Sequence, residues 1–489
     1  MAMFRQRLRV ILWAMSRLAT LFRRTVPQRP PAFPGLDRAP AAVLILWTSL
    51  YVWRALSGHA SLHTNAYDLS MLDYALWNSL HGRPGFVPFI GHSIHSHHFT
   101  PILWLLTPVY AVFQSPVCLI LLQILATAGA GWLFHRFARR LGVERVIALA
   151  LLAVFLMSRR THSATTSFFY PECFQAVLTF AVVAAWNGAD WLYWTSAALW
   201  LTTKEDAALY LGAFGALQLL SPEANRRAAL TILLAIVWAT AAVGLFVPMS
   251  RAADGLSSAN PLFTSRFSSD GGMLDPATLV LRPISPASLG TWFNLLATTG
   301  FLPILGWKFL AAAVPGIVAN SAAKPEMQQA ALIGHYFWPV MPWLFMATAA
   351  GALRLQRRSL RAARLWVLLL LCGTLADNTA VRRLTRSQVD PEATTVLNQL
   401  GAVKYGAGAV LLAQTDLIPH LAHSNTVFAI GGEQPPPRPP DLVLATRVGD
   451  LWPLTPEEVD SLIRSYAANV GYEQISGGPL YAFRLRPTR

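Results

Sequence analysis

Charged residues are scarce in this chain. Asp, Glu, Lys and Arg make up 13% of its 489 residues, while 54% are hydrophobic. That balance excludes a soluble enzyme built around one large core and points to a polytopic membrane protein. Acids are scarcer than bases, 24 against 39, so the formal net charge is +15. Cysteine is nearly absent: Cys118, Cys173 and Cys372 fall in or beside apolar segments, with no CxxC and no regular spacing. This excludes a disulfide framework or a cysteine zinc site and leaves core thiols. The motifs of soluble enzymes are missing too, with no GxxxxGKS/T phosphate loop, no GxGxxG after a strand, no GxSxG elbow and no HExxH. The basic residues form no aromatic-basic surface, which excludes nucleic acid as a partner. No cleavable signal peptide is evident.

What is present is a series of apolar segments separated by arginine clusters at 5–24, 136–145, 226–227 and 354–364. This is the positive-inside pattern, and the 17 Trp suit membrane interfaces. Residues 1–26 mix arginines with Leu, Ile, Phe and Trp at roughly helical spacing, which predicts a basic interfacial helix facing anionic headgroups of the cytoplasmic leaflet. A Pro-rich link, 27–40, breaks it. With the N-terminus cytoplasmic, the chain from residue 41 threads as about eleven spans. These are 41–56, 117–137, 146–157, 173–187, 191–203, 207–220, 228–247, 291–307, 309–320, 334–353 and 366–379. Residues 102–113, bounded by Pro101 and Pro116 and interrupted by Pro108, are a helix at the outer interface. A crossing there would put Arg136, Arg139, Arg140 and Arg145 outside. The predicted fold is mostly α: an interfacial helix and linker (1–40), a membrane domain (41–380) with outer loops 57–101 and 248–289, and an extracytoplasmic α/β domain (381–489). Short β-rich runs at 409–413, 426–430, 441–445 and 480–485 mark that last domain, with a helix at 455–468 opening on the capping signal TPEE.

The polar outer loop is the most unusual stretch. Residues 64–101 carry Asp68, Asp73 and the histidines His81, His92, His95, His97 and His98 between two apolar segments. Titratable groups beside a membrane helix are costly unless they pair or line a wet cavity, so they are candidate functional groups. Four further constellations fall on the same outer side: Tyr170-Pro171-Glu172, Lys204-Glu205-Asp206, the segment from Arg266 to Asp275, and His335-Tyr336. The competing reading makes Lys204 a structural ion-pair partner of Glu172, Glu205 or Asp206. His92, His95 and His98, at helical i, i+3, i+6 spacing, are weak candidate ligands for a divalent metal ion with Asp68 or Asp73.

Several ordered motifs carry a resemblance: YDLSMLDYALWNSLHG, HHFTPILWLLTPVYAVFQSP, YPECFQA, TKEDAAL, GHYFWPVMPWLF, AQTDLIPHLAHSNTVFAI and PDLVLA. In this order they resemble the prokaryotic polytopic family known as domain of unknown function 2079. That family in turn resembles the GT-C glycosyltransferases, integral membrane enzymes that take sugars from polyprenyl-phosphate donors on the outer face of the membrane. The resemblance implies a catalytic carboxylate in the first outer loop, Asp68 with Asp73 as alternate. It also implies substrate-binding groups among His98, Glu172, Lys204, Glu205, Asp206, Arg266, His335 and Tyr336. Where GT-C members show paired acids, this chain has Asp68-Leu69. The partners expected are a polyprenyl-phosphate-linked sugar, the lipid bilayer of the cytoplasmic membrane, and a glycan, lipid or protein acceptor. Two other classes stay open: a transporter or lipid flippase with Lys204-Glu205-Asp206 as an ion relay, and a non-catalytic membrane scaffold. No inverted repeat supports the transporter.

Overall fold

The computed structural model describes residues 38–166, 168–220, 226–257, 266–267, 276–377, 389–406 and 408–487. The helix expected at 1–26 and most of 266–275 lie outside them. Apolar length and capping shape the first helices. The first, α1, is Arg38–Ala60; it buries Leu44, Trp47 and Tyr51 and turns Ile45 and Leu46 outward. A helix within the 64–101 stretch, α2 (Met71–Leu80), and the short apolar helix α3 (Ile102–Val112) precede the long α4 (Pro116–Leu141). The Ser115 side chain accepts from the Val117 N–H, Pro116 sits in the first turn, and Gly142 at φ 94° closes the helix behind Arg139 and Arg140. Next come α5 (Arg145–Met157) and α6 (Arg159–Thr166), bent by 48°. They are followed by α7 (Cys173–Ala185), α8 (Asp190–Leu201), α9 (Ala207–Leu219) and the long α10 (Arg226–Ala253). The membrane domain ends with α11 (Pro286–Ala297), α12 (Trp307–Ser321), α13 (Met341–Arg358) and α14 (Leu360–Asp377).

The span count is coarser than the sequence reading. Among the described residues α1, α4 and α10 are long and apolar enough to cross a membrane, and the bent pair α5–α6 makes a fourth. The expected eleven is not reached by this measure because α7, α8, α9 and α11 run only 12 or 13 residues. Thirteen residues rise about 20 Å, short of the roughly 30 Å hydrocarbon layer. The expected 334–353 span also starts late, since Gly334–Phe337 is a 3-10 turn ahead of α13. At its centre the domain packs tightly. From Met341 to Ala349 α13 is buried on every side, and Phe345 packs edge-on against Phe155 at 4.8 Å and Phe134 at 5.6 Å. Leu233, Ile236 and Val237 of α10 and Leu365, Leu368 and Leu369 of α14 are exposed, the apolar outer belt a lipid-facing surface requires. Of α3, Trp104, Leu105 and Val112 are exposed while Leu103 and Tyr110 are buried. At 11 residues α3 is too short to cross.

Between α1 and α3 the outer loop is ordered by local capping. The Asn65 side chain accepts the Asp68 N–H at 3.1 Å, opening a π-turn at Ala66–Ser70 that runs into α2. A small antiparallel hairpin follows, β1 (Phe86–Val87) with β2 (His92–Ser93), then a 3-10 turn at Ile94–Ser96. The C-terminal region adds α15 (Pro391–Ala402), β3 (Leu411–Ala413), β4 (Val427–Ala429), β5 (Leu442–Thr446), α16 (Pro456–Ala468), β6 (Tyr472–Ser476) and β7 (Leu480–Leu485). The sheet order is β4-β3-β5-β7-β6, with β3 parallel to both neighbours and β7 antiparallel to both of its own. Thr455 and Glu458 form the capping box foreseen in TPEE. The segments after β3 and β5 point at the outer loop: the Asp450 N–H donates to the Leu62 carbonyl at 3.0 Å. The Asp390 N–H donates to Ser61 Oγ at 3.0 Å. In sheets of this kind the carboxyl ends of parallel strands are where ligands bind.

Candidate active site

Asp68 sits in the π-turn, half-buried. Its carboxylate accepts the Tyr170 hydroxyl and lies 3.5 Å from Asn65 Nδ2. Tyr170 is held there by Gln123 of α4. That fully buried amide accepts the Tyr170 N–H at 2.8 Å and donates to the Ala164 and Thr165 carbonyls at the end of α6. The Tyr170 ring stacks on His335 at 3.8 Å, His335 lies 3.9 Å from the Tyr336 ring, and the Arg266 guanidinium lies 5.8 Å from Tyr336. Asp68, Tyr170, His335, Tyr336 and Arg266 thus form one continuous line drawn from four separate segments. Burial pushes the Asp68 carboxyl up; the Tyr170 and Asn65 hydrogen bonds oppose this, and the nearby Asp450 charge adds to it.

The Lys204-Glu205-Asp206 triplet occupies a turn between α8 and α9, so its three side chains leave in different directions. Lys204 Nζ donates to Glu172 Oε1 at 2.6 Å, and both side chains are buried. Glu205 accepts from His98 Nδ1 at 2.7 Å and from the Phe99 N–H at 3.1 Å. Asp206 accepts from Gln175 Nε2 at 2.9 Å. Burial alone would raise the Glu172 carboxyl, but the Lys204 ammonium and His335 hold it below its usual range. Burial, opposed by Lys204 and reinforced by Glu172 and Glu205, raises Asp206 to about 6. Burial lowers His335 to about 3; Glu172 opposes that, while Lys204, Arg266 and His98 reinforce it. Burial likewise lowers His97 to about 3, with His92, His98, Arg251 and Arg266 pushing the same way. The result is a nest of neutral imidazoles crowded by fixed cations. An anion arriving there would be stabilised by the cations and would raise the imidazoles towards protonation.

Other sequence-chosen residues lie elsewhere. Asp73, 2% exposed, receives the Tyr110 hydroxyl at 2.5 Å and pairs with His423 of the C-terminal domain at 2.6 Å. The π-turn carries Asp68 inward towards Tyr170, while α2 turns Asp73 towards α3, so the two carboxylates do not share a site. His92, His95 and His98 do not converge either, because β2 and a 3-10 turn replace the helix that i, i+3, i+6 spacing needs. His92 Nδ1 bonds the Ser93 carbonyl, His95 packs against Trp104 at 5.0 Å, and His98 pairs with Glu205. Among the described residues no group of three or more His, Cys, Asp or Glu side chains is arranged to hold a metal. Tyr170 and His97 stood within candidate constellations but were given no role of their own, and His423 and Asp450 were not singled out at all. The YPE motif and the histidine run signal the first two, whereas nothing local marks His423 or Asp450.

Two cavities stand out among the described residues. One of about 390 Å³ includes Thr64 and Phe168 in its wall, next in sequence to Asn65 and close to Tyr170. The other, about 480 Å³, runs between Arg159, Asn294 and the Trp366–Asp377 face of α14. Neither wall includes the Asp68 side chain.

Most of the chain follows a known architecture. It superposes on the crystal structure of ArnT from Cupriavidus metallidurans bound to undecaprenyl phosphate, with a TM-score of 0.55 at 13% sequence identity, covering 92% of this chain and 98% of that one. At that identity the likeness is one of fold. No curated protein matches the sequence. The match that extends over residues 58–476, through the 64–101 loop, the Tyr170–Asp206 turns and all strands of the docked sheet but β7, is to the predicted membrane proteins of DUF2079, and the chain belongs to that family.

Proposed function

We propose that the protein is a membrane glycosyltransferase of the GT-C kind, moving a sugar from a polyprenyl-phosphate donor to an acceptor hydroxyl on the outer face of the cytoplasmic membrane. The observation that carries this reading is the line from Asp68 through Tyr170 and His335 to Arg266, with a hydrogen-bonded carboxylate at one end and the Arg266 guanidinium at the other. In the reaction, Asp68 takes the proton of the acceptor hydroxyl as its oxygen bonds to the anomeric carbon. The bond from that carbon to the phosphate oxygen breaks, and the lipid phosphate departs with the electron pair. The raised pKa of Asp68 makes it a stronger base than a free carboxylate, and Tyr170 fixes its orientation. Arg266 and the imidazoles of His97, His98 and His335 face the departing phosphate, where preorganised positive charge lowers the barrier most. Lys204, neutralised by Glu172, holds α7 and α9 together beside them. The ArnT fold, seen with undecaprenyl phosphate bound, supports a lipid-phosphate donor.

The test is transfer by purified protein from a panel of polyprenyl-phosphate sugars. Asp68→Asn should elute and melt like wild type and lose about a hundred- to ten-thousandfold in rate, as removal of a general base does. Undiminished transfer by Asp68→Asn ends the base assignment, and a wild type that consumes no donor in the panel ends the reading.

A further inference from the structure

The loops that follow β4 and β5, at the carboxyl ends of parallel strands, reach the turn that carries Asp68, and one of them leaves an indole in the open. Trp452 is 53% exposed, yet its backbone is fixed. The Thr415 hydroxyl donates to its carbonyl, and its backbone N–H donates to Asp450 Oδ1 at 3.4 Å. The Trp452 ring meets Tyr67 edge-on at 5.6 Å, Tyr67 meets Phe89 edge-on at 6.0 Å, and Phe89 meets Tyr74 at 5.8 Å. Phe89 and Tyr74 are buried, so Trp452 is the open end of an aromatic ladder rooted in the 64–101 loop. A scattered exposed aromatic is ordinary; a braced one beside a reactive carboxylate is not. Tyr67 directly precedes Asp68, and Asp450 is near enough for its charge to act on the Asp68 carboxyl. Glu433 lies beside Tyr67, and a Cβ on the preceding Gly432 would stand 3.0 Å from the Tyr67 hydroxyl. Among the described residues neither Asp450 nor Glu433 forms an ion pair. Ionised carboxylates only accept hydrogen bonds, and they repel a phosphate. An aromatic face bordered by acceptors suits a ligand with one C–H face and an edge of hydroxyl donors, which describes a sugar ring.

We infer that this ledge binds the acceptor and that the acceptor is an uncharged sugar, its ring packed on Trp452 and its hydroxyls donating to Asp450 and Glu433. One further hydroxyl is then presented to Asp68. This rests on the transferase reading above and adds the acceptor's class. The C-terminal domain thereby supplies one wall of the acceptor site, and its carboxylates keep the donor's phosphate at the Arg266 end.

Binding tests it without a donor. The full chain is placed in phosphatidylglycerol nanodiscs, which carry neither a sugar nor a quaternary ammonium. Saturation-transfer NMR then probes it with the methyl glycosides of glucose, galactose, mannose, rhamnose, N-acetylglucosamine and arabinose. At least one glycoside should take up saturation, most strongly at the C–H protons of one ring face. Trp452→Ala should weaken its binding about tenfold, as loss of a central aromatic contact does, and Trp452→Phe should restore part of it. Glu433 is exposed, so Glu433→Ala provides a second weakening variant if Trp452→Ala misfolds. Tetramethylammonium is the control for a cation on the same indole. No glycoside bound by wild type, binding that both variants leave unchanged, or Trp452-dependent binding of tetramethylammonium in place of glycosides overturns the inference. No donor is present, so these outcomes stand apart from the transferase assay, which can fail at Asp68 while the ledge still binds sugar.

Discussion

Asp68 and Asp73 stand in one loop and meet opposite surroundings. Asp68 is half-buried and bonded to a phenol; burial raises its pKa and the charge of Asp450 adds to that. An ionised base is needed for transfer, so kcat/KM should rise with pH through a midpoint above that of a free aspartate, about 3.9. Asp450→Asn removes a negative charge that disfavours ionised Asp68, so the midpoint should move to lower pH. A pH profile that does not shift would detach Asp450 from the site. Asp73 is locked between Tyr110 and His423. Asp73→Asn should therefore lower the melting temperature by loosening the C-terminal domain, at a cost of about 1.5–3 kcal/mol for hydrogen bonds to a charged group. The buried Lys204–Glu172 pair follows a different rule. Lys204→Met alone leaves Glu172 buried without its counter-ion and should cost about 3–5 kcal/mol, whereas Lys204→Met with Glu172→Leu should recover most of it. Thermal unfolding of the three variants checks this, and equal losses in single and double variants would show that the pair does not act as a unit.

At the scale of elements, packing rather than propensity holds the membrane domain together. A Cβ on Gly351 of α13 would stand 2.0 Å from the Leu302 carbonyl oxygen, and one on Gly306 would stand 1.9 Å from that of Ala347. Two backbones touch there, which only glycine permits. Gly351→Ala should therefore destabilise by at least the roughly 1–3 kcal/mol of overpacking. Gly244→Ala in α10, with nothing within 4 Å, should be close to neutral. Melting temperatures of both variants in detergent decide it. The short helices α7 to α9 carry their polar ends at the site, and that brevity lets Lys204 meet Glu172 and Glu205 meet His98 there.

At the scale of the whole molecule, the C-terminal domain is docked over the outer loop through Ser61, Leu62, Asp73 and His59. Beneath it Asp416 is fully buried, and neither carboxylate oxygen has a hydrogen-bond partner. Burial, opposed by its local backbone N–H groups and reinforced by Asp450, raises its pKa well above the ordinary value. A folded-state pKa above the unfolded one gives stability that is fully present below the unfolded value and lost as pH rises towards the folded one. The melting temperature should accordingly fall as pH rises above the ordinary aspartate value, about 3.9, and Asp416→Asn should flatten that fall. Sidedness can be checked in a Cys372→Ser background, the other cysteines being buried. A cysteine at Val470, 89% exposed, should react with an impermeant maleimide from the outer face, and one at Arg358 should not. The reverse pattern would overturn the orientation.

Features written in local patterns were legible in the sequence. The arginine clusters, the apolar runs of α1, α4 and α10, the short helix α3 and the Thr455 capping box depend on residues a few positions apart, so composition and spacing reveal them. Four of the five strands of the C-terminal sheet were legible for the same reason; the edge strand β6, YEQIS, is too polar to read as one. The number of crossing helices was not legible, because hydropathy does not say whether a short apolar helix ends at a buried turn. Nor was the division of labour among the acids. Sequence marks Asp68 and Asp73 alike as loop carboxylates. Only the tertiary structure sends one to Tyr170, 102 positions away, and the other to His423, 350 positions away. Hydrogen bonds and burial between distant segments set a carboxyl's partners and its pKa, and neither is encoded at any single stretch of the chain.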